Sequence, residues 1–121
     1  MQLYVNIYTV GRASGGPEEG GWFYDYGTPI SAILVEFTEA EHQAITAYAR
    51  AILGEGEEFT DEWLEVFRTK LREKAERIAE PLRTQYAATG KRSSVLGGED
   101  YEVVIEDHFA RAYPEEVPTY A

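Results

Sequence analysis

The groups that could do chemistry in this chain include abundant carboxylates, hydroxyls and two histidines, but its 121 residues include no cysteine. Thiolate nucleophiles, disulfides and cysteine-type zinc sites are therefore excluded. The histidines are His42 and His108. His42 falls in the first turn of an expected helix beside Glu39 and Glu41, which reads as a surface position. Glu106-Asp107-His108 sets three metal-ligand types side by side at a strand end. Strand alternation turns Asp107 away from Glu106 and His108, so two side chains converge and a metal would need a ligand such as Asp25 from elsewhere. Asp25 lies among Trp22, Phe23, Tyr24 and Tyr26, and the simplest place for it is the exposed face of a strand. Carboxylates are so numerous that no pair stands out as acid and base. Gly90-Lys91-Arg92-Ser93-Ser94 resembles the end of a phosphate-binding loop but fails its rule. Gln85 stands where the first glycine is needed, Arg92 separates Lys91 from Ser93, and a helix precedes the segment instead of following it. Gly15-Gly16 and Gly20-Gly21 match no dinucleotide fingerprint, and no nucleophile elbow supports a serine triad. The expectation is a protein without enzymatic activity, cofactor or metal.

The elements that would position these groups follow from periodicity. Residues 3–10 alternate, with Leu3, Val5 and Ile7 on one face and Tyr4, Asn6 and Tyr8 on the other, as in a strand. Gly11 to Gly21 reads as a long turn of eleven residues, followed by a strand from Trp22 to Tyr26 that closes a hairpin. Gly27-Thr28-Pro29 reads as a break. Ile30 to Phe37 is expected as a third strand, central because it is apolar on both faces. Thr38-Glu39-Ala40-Glu41 is a capping box opening a helix to about Leu53, with Ala44, Ile45, Tyr48, Ala51 and Ile52 as its buried stripe. Gly54 stops it. Thr60 caps a second helix, with Phe59 and Leu64 as a hydrophobic staple and Leu64, Phe67, Leu71, Ala75 and Ile78 at steps of three and four. Pro81 is expected to end or kink it near Glu80, with a last helical stretch to Ala88. Ser93–Leu96 and Tyr101–Asp107 flank Gly97-Gly98-Glu99-Asp100 as a second hairpin, with Val103 and Ile105 on one side and Val104 on the other. Residues 112–121 form an extended tail.

The order β-β-β-α-α-β-β argues one α+β domain over residues 1–121. It is expected as an antiparallel sheet of four to five strands with a helical pair packed on one face. No stretch approaches the length of a membrane span and the N-terminus has no signal-peptide pattern, so the chain reads as soluble and cytoplasmic.

Charge narrows the partners. The net charge is −11 and the pI about 4.5, so the surface repels phosphate backbones and anionic membranes. The distribution is uneven: residues 1–62 hold 2 basic and 11 acidic side chains, 63–92 hold 8 and 4, and 93–121 hold 1 and 7. Arg68, Lys70, Arg72, Lys74, Arg77 and Arg83 make the second helix a basic island. That island either is a solvated face that complements the acidic sheet or gives the molecule a polarised surface suited to a partner.

Three stretches together resemble a family of small acidic proteins encoded by bacteriophages and related mobile elements, mostly of unassigned function. They are Gly-Gly-Pro-Glu-Glu-Gly-Gly-Trp-Phe-Tyr at 15–24, Ser-Val-Leu-Gly-Gly-Glu-Asp-Tyr-Glu-Val at 94–103, and Ile-Glu-Asp-His-Phe-Ala at 105–110 with the Tyr-Pro tail beyond. The helical middle, 38–88, takes no part. The resemblance implies an accessory factor in the host cytoplasm that occupies a host protein, including inhibition of a nucleic-acid-binding or defence protein by an acidic surface. It transfers no catalytic residue.

The leading expectation is thus a non-enzymatic binding protein for a protein partner, with no direct contact to nucleic acid or membrane. Its acidic contacts would be Glu18, Glu19, Glu55, Glu57, Glu58, Asp61 and Glu62, and its aromatic anchors Trp22, Tyr24 and Tyr26. The alternative is a self-associating structural or virion-related protein, a homodimer through the exposed sheet face. A small metal- or ligand-binding protein using Asp25, Asp107 and His108 is the third reading.

Overall fold

A computed structural model describes residues 1–14, 18, 21–56, 60–87, 100–113 and 119–120. Three full strands pair antiparallel: β1 (Leu3–Ser14), β2 (Trp22–Val35) and β3 (Asp100–Glu106). A two-residue strand, β4 (Thr119–Tyr120), pairs with Trp22 and Phe23, so the sheet order is β3-β1-β2-β4. Between β2 and β3 the chain forms helices α1 (Glu39–Leu53) and α2 (Asp61–Gln85). The architecture is α+β. Residues 93–96, expected as a strand, and Phe59 of the expected staple lie outside the described residues.

The two strands expected at Trp22–Tyr26 and Ile30–Phe37 are one strand, and the Gly27-Thr28-Pro29 break is absent. Both breakers are accommodated. The ring of Tyr113 occupies the space a Cβ on Gly27 would need, and Gly27 and Tyr113 exchange both backbone hydrogen bonds at 3.1 Å. That exchange turns the N–H and C=O of Gly27 away from β1. By alternation Pro29, opposite Tyr8, also points its backbone outward, where a missing N–H costs no bond to β1. The register shifts at this point, leaving Ile30 as the extra residue of a bulge. The long turn is also shorter than its glycines suggest, because β1 continues through Gly11 to Ser14. A Cβ on Gly11 would lie 2.6 Å from the Tyr26 hydroxyl, so glycine there makes room for the ring across the hairpin. The central strand is β1, and β2 beyond Gly27 is an edge among the described residues.

One face of the sheet carries Val5 and Val35, buried, with Leu3, Ile33, Val103 and Ile105 half-buried; these pack against Leu71, Ala75 and Ala79 of α2. Val104 lies on the opposite face with Tyr8 and Val10, under Ala110 and Tyr113 of the segment after β3. The buried side chains of α2 are Trp63, Phe67, Leu71, Ala75 and Ala79, a spacing of four throughout. At 3.6 residues per turn this row drifts about 40° per step. The row therefore faces two neighbours in succession: Trp63 and Phe67 pack on α1, while Leu71, Ala75 and Ala79 pack on the sheet. The alanines allow close approach, and fully buried Leu71 contributes about 2 kcal/mol of apolar transfer. The sheet thus carries α2 directly, and α1 packs mainly on α2, rather than both helices lying on one face.

Both expected N-caps form. Thr38 Oγ1 accepts from Glu41 N at 3.1 Å while Glu41 Oε1 accepts from Thr38 N at 2.9 Å, and Thr60 Oγ1 accepts from Trp63 N at 3.2 Å. Pro81 does not end α2, which runs through it to Gln85. Proline leaves the carbonyl of Arg77 without its helical donor, at a cost of about 3 kcal/mol. Packing of Ile78, Ala79 and Leu82 around it offsets that cost.

Candidate protein-docking groove

Helix α1 carries two apolar rows, Ile45-Ala49-Leu53 and Ala44-Tyr48-Ile52. A helix resting on a single neighbour can bury only one of them. The fold buries the first: Ala49 is fully enclosed against Trp63 and Phe67, with Ile45, Leu53 and Phe37 around it. Alanine at the closest point lets α1 approach the indole. Ala44, Tyr48, Ala51 and Ile52, expected in the core, are exposed, Tyr48 by 48% and Ile52 by 53%.

Tyr48 and Ile52 of the displaced row form one wall of a groove of about 540 Å³ between the helices, with Val66 and Thr69 of α2 opposite. Asp61, Glu62, Glu65 and Glu73 rim it. Arg68 and Lys70 also reach it, but each is countered on its own helix: Arg68 lies 3.7 Å from Glu65 and Lys70 lies 3.6 Å from Glu73. The Lys70 ammonium also stands 4.7 Å from the centre of the Tyr48 ring. Asp61 and Glu62 have no cationic partner among the described residues, so the groove keeps an acidic bias over an apolar floor. Glu55 is exposed in the connector at the end where α2 begins. Gly54 and Gly56, with φ of 88° and 91°, turn that connector in a region where other residues would be strained.

Of the residues expected to bind a partner, Asp61 and Glu62 line this groove and Glu55 adjoins it through the chain. Glu18 is exposed and Tyr26 is half-buried against Gly11; neither lines the groove. Trp22 and Tyr24 lie in β2, opposite Tyr120 and Ala13 respectively. Glu19, Glu57 and Glu58 lie outside the described residues. Tyr48 and Ile52 were missed because they fall in an apolar row that reads as core, and Val66 because it lies outside the apolar row read on α2. The available signal was that α1 has more apolar rows than one neighbour can cover.

A larger groove of about 860 Å³ runs along another flank of α2, beside Met1, Leu3 and Leu71. Arg72 and Arg77 line it, but so do Glu65, Glu73, Glu76 and Asp107, so it presents neither sign cleanly. The basic island is largely neutralised in place. Arg83 bonds Glu76 at 2.7 Å, and Lys74 bonds Glu41 at 2.6 Å and the carbonyl of Glu36 at 2.7 Å. Lys74 holds Glu41 down at about 2, helped by the Thr38 N–H.

The other polar cluster joins β1 to the segment after β3. Glu106 Oε1 accepts from the Tyr8 hydroxyl at 2.6 Å and from Asn6 Nδ2 at 3.0 Å, while Glu106 Oε2 lies 2.9 Å from His108 Nε2. Asn6 Nδ2 also donates to the His108 carbonyl at 3.0 Å, and two acceptors on that side fix the amide orientation, leaving the buried Oδ1 without a partner. Burial and the Glu106 carboxylate push the Tyr8 hydroxyl up to about 12. Glu106 and His108 thus converge as alternation requires, but Asp25 is elsewhere, bonded to Arg12 at 2.9 Å. Among the described residues no three histidine or acidic side chains come together as a metal site. No helix among them is long and apolar enough to cross a membrane. The cluster ties the segment after β3 to β1.

No protein-family model, curated protein or solved structure matches this chain.

Proposed function

We propose that this protein is a non-enzymatic accessory factor that binds a protein partner through the groove between α1 and α2. The ligand is a basic amphipathic helix. Its apolar face meets Tyr48, Ile52 and Val66, and its lysines and arginines meet Asp61 and Glu62. The observation that carries this reading is an apolar row of α1 left exposed beside acids that nothing in the described fold neutralises. Partners rich in exposed basic residues include proteins that themselves bind nucleic acid. Occupying such a partner's basic surface is how a −11 protein inhibits without touching nucleic acid itself. A place in the host cytoplasm is part of this proposal and rests on the resemblance to phage-encoded proteins alone.

The test is titration with a synthetic Leu/Lys amphipathic helix, followed by anisotropy, against wild type and two variants, Tyr48→Ala and Asp61→Asn/Glu62→Gln. The reading expects saturable binding that weakens with salt and falls about tenfold in each variant, about 1.4 kcal/mol. Equal binding by all three proteins refutes it.

A further inference from the structure

The outer edge of β2 offers a second, independent surface. Because Gly27 points its N–H and C=O away from β1, alternation fixes the phase of the whole strand. Past the bulge at Ile30, Ser31, Ile33 and Val35 bond to β1, and Ala32 and Leu34 point their N–H and C=O outward. Among the described residues nothing pairs with them: Tyr113 and β4 cover the edge only from Trp22 to Gly27. The side chains beside this open stretch are apolar and exposed, Ile30 by 47% and Leu34 by 44%. Leu34 lies opposite Tyr4, whose ring meets the exposed ring of Phe109 edge-on at 5.9 Å.

An open strand edge is usually defended by charge. This one is not. Thr28–Val35 contains no charged residue in a chain that is 27% charged, most of it negative. A basic partner gains nothing from a neutral edge and is drawn to the acids elsewhere. A second copy of this chain, by contrast, is repelled over most of its surface and can approach where both surfaces are neutral.

We propose that Thr28–Val35 is the interface of a two-fold symmetric homodimer in which the β2 edges of two copies pair antiparallel. An axis through Ile33 sets Ala32 opposite Leu34 of the partner subunit, so that each outward N–H meets an outward C=O. In that register Glu36 faces Ile30 of the partner subunit, and no carboxylate opposes another. Pro29, which lacks an N–H, and the bulge at Ile30 limit pairing at one end, and the turn into α1 limits it at the other. The contact is isologous and consumes the edge, so it closes as a dimer and does not propagate. It is independent of the groove between the helices.

Sedimentation equilibrium over a wide concentration range tests this. The wild type populates a dimer as concentration rises. Leu34→Lys and Ala32→Pro each weaken it by about tenfold or more, while Asp61→Asn/Glu62→Gln leaves it unchanged. Ala32→Pro removes an N–H that β1 does not use, and circular dichroism checks that each variant folds. Because the chain has no cysteine, a single spin label at Ser31→Cys gives an unambiguous second measurement. A Cα separation of about 14 Å between the two labelled positions is expected, since this register offsets them by four residues at about 3.4 Å each on strands about 4.8 Å apart. A monomer at every concentration, a dimer indifferent to both edge substitutions, or a dimer with widely separated labels would overturn the proposal.

Discussion

The ammonium of Lys74 on α2 bonds the carboxylate of Glu41 on α1 at 2.6 Å, and the same nitrogen donates to the carbonyl of Glu36 at 2.7 Å. One cation thus ties the two helices and the residue that follows β2 together. Its effect on stability has a definite pH window. Glu41 sits at about 2 in the folded protein, below an ordinary value of 4.5. The pair therefore stabilises the fold fully above about 4.5 and loses that contribution as pH falls toward 2. Lys74→Met is expected to lower the melting temperature at neutral pH and to flatten the acid limb between those values. An unchanged acid limb in a urea-denaturation series would show that Lys74 does not hold Glu41.

Tyr8 and Glu106 give a contribution at the other end of the scale. The Tyr8 hydroxyl is raised from 10.0 to about 12, so its contribution is complete below pH 10 and is lost as pH rises toward 12. Tyr8→Phe leaves Glu106 with Asn6 and His108 and removes a bond to a charged acceptor, for an expected loss of about 1.5–3 kcal/mol. The difference between the two proteins should shrink above pH 10 in chemical denaturation; a constant difference to pH 12 contradicts the assignment.

Gly27 and Tyr113 form a coupled pair. Gly27→Ala pushes a methyl group into the Tyr113 ring and is expected to cost about 1–3 kcal/mol. In Gly27→Ala/Tyr113→Ala the clash is gone, so the double variant should be more stable than the sum of the single changes predicts. Strict additivity in a denaturation cycle would mean that the ring does not lie over Gly27.

The strand breakers mark where the sequence is hard to read. Val5, Ile7, Val103 and Ile105 take the faces that their alternation assigns, and Thr38 and Thr60 cap the helices as their spacing requires, because local geometry alone decides those features. Gly27 and Pro29 look like a break because what accommodates them lies elsewhere in the chain: Tyr113, 86 positions further along, and the edge location of β2. The rows of α1 are ambiguous for a similar reason. Ala44-Tyr48-Ile52 and Ile45-Ala49-Leu53 are equally periodic, and only the indole of Trp63 favours the row with alanine at its centre. The groove was therefore legible in its acids, Asp61 and Glu62, and illegible in its floor.

Pro81 offers a check on α2. Its ring is compatible with the helix but leaves a carbonyl unsatisfied, so Pro81→Ala should stabilise the protein by about 1–3 kcal/mol in urea denaturation. Destabilisation would mean that α2 does not continue through residue 81.

The central claim is that a partner's basic helix lies between α1 and α2, and chemical-shift mapping reads that location directly. On titration with the Leu/Lys helix, the amides of Tyr48, Ile52, Asp61, Glu62 and Val66 are expected to shift together along one saturable curve that weakens with added salt. Shifts confined to Glu18 and Trp22–Tyr26, or spread over every acidic surface without saturation, would contradict the account.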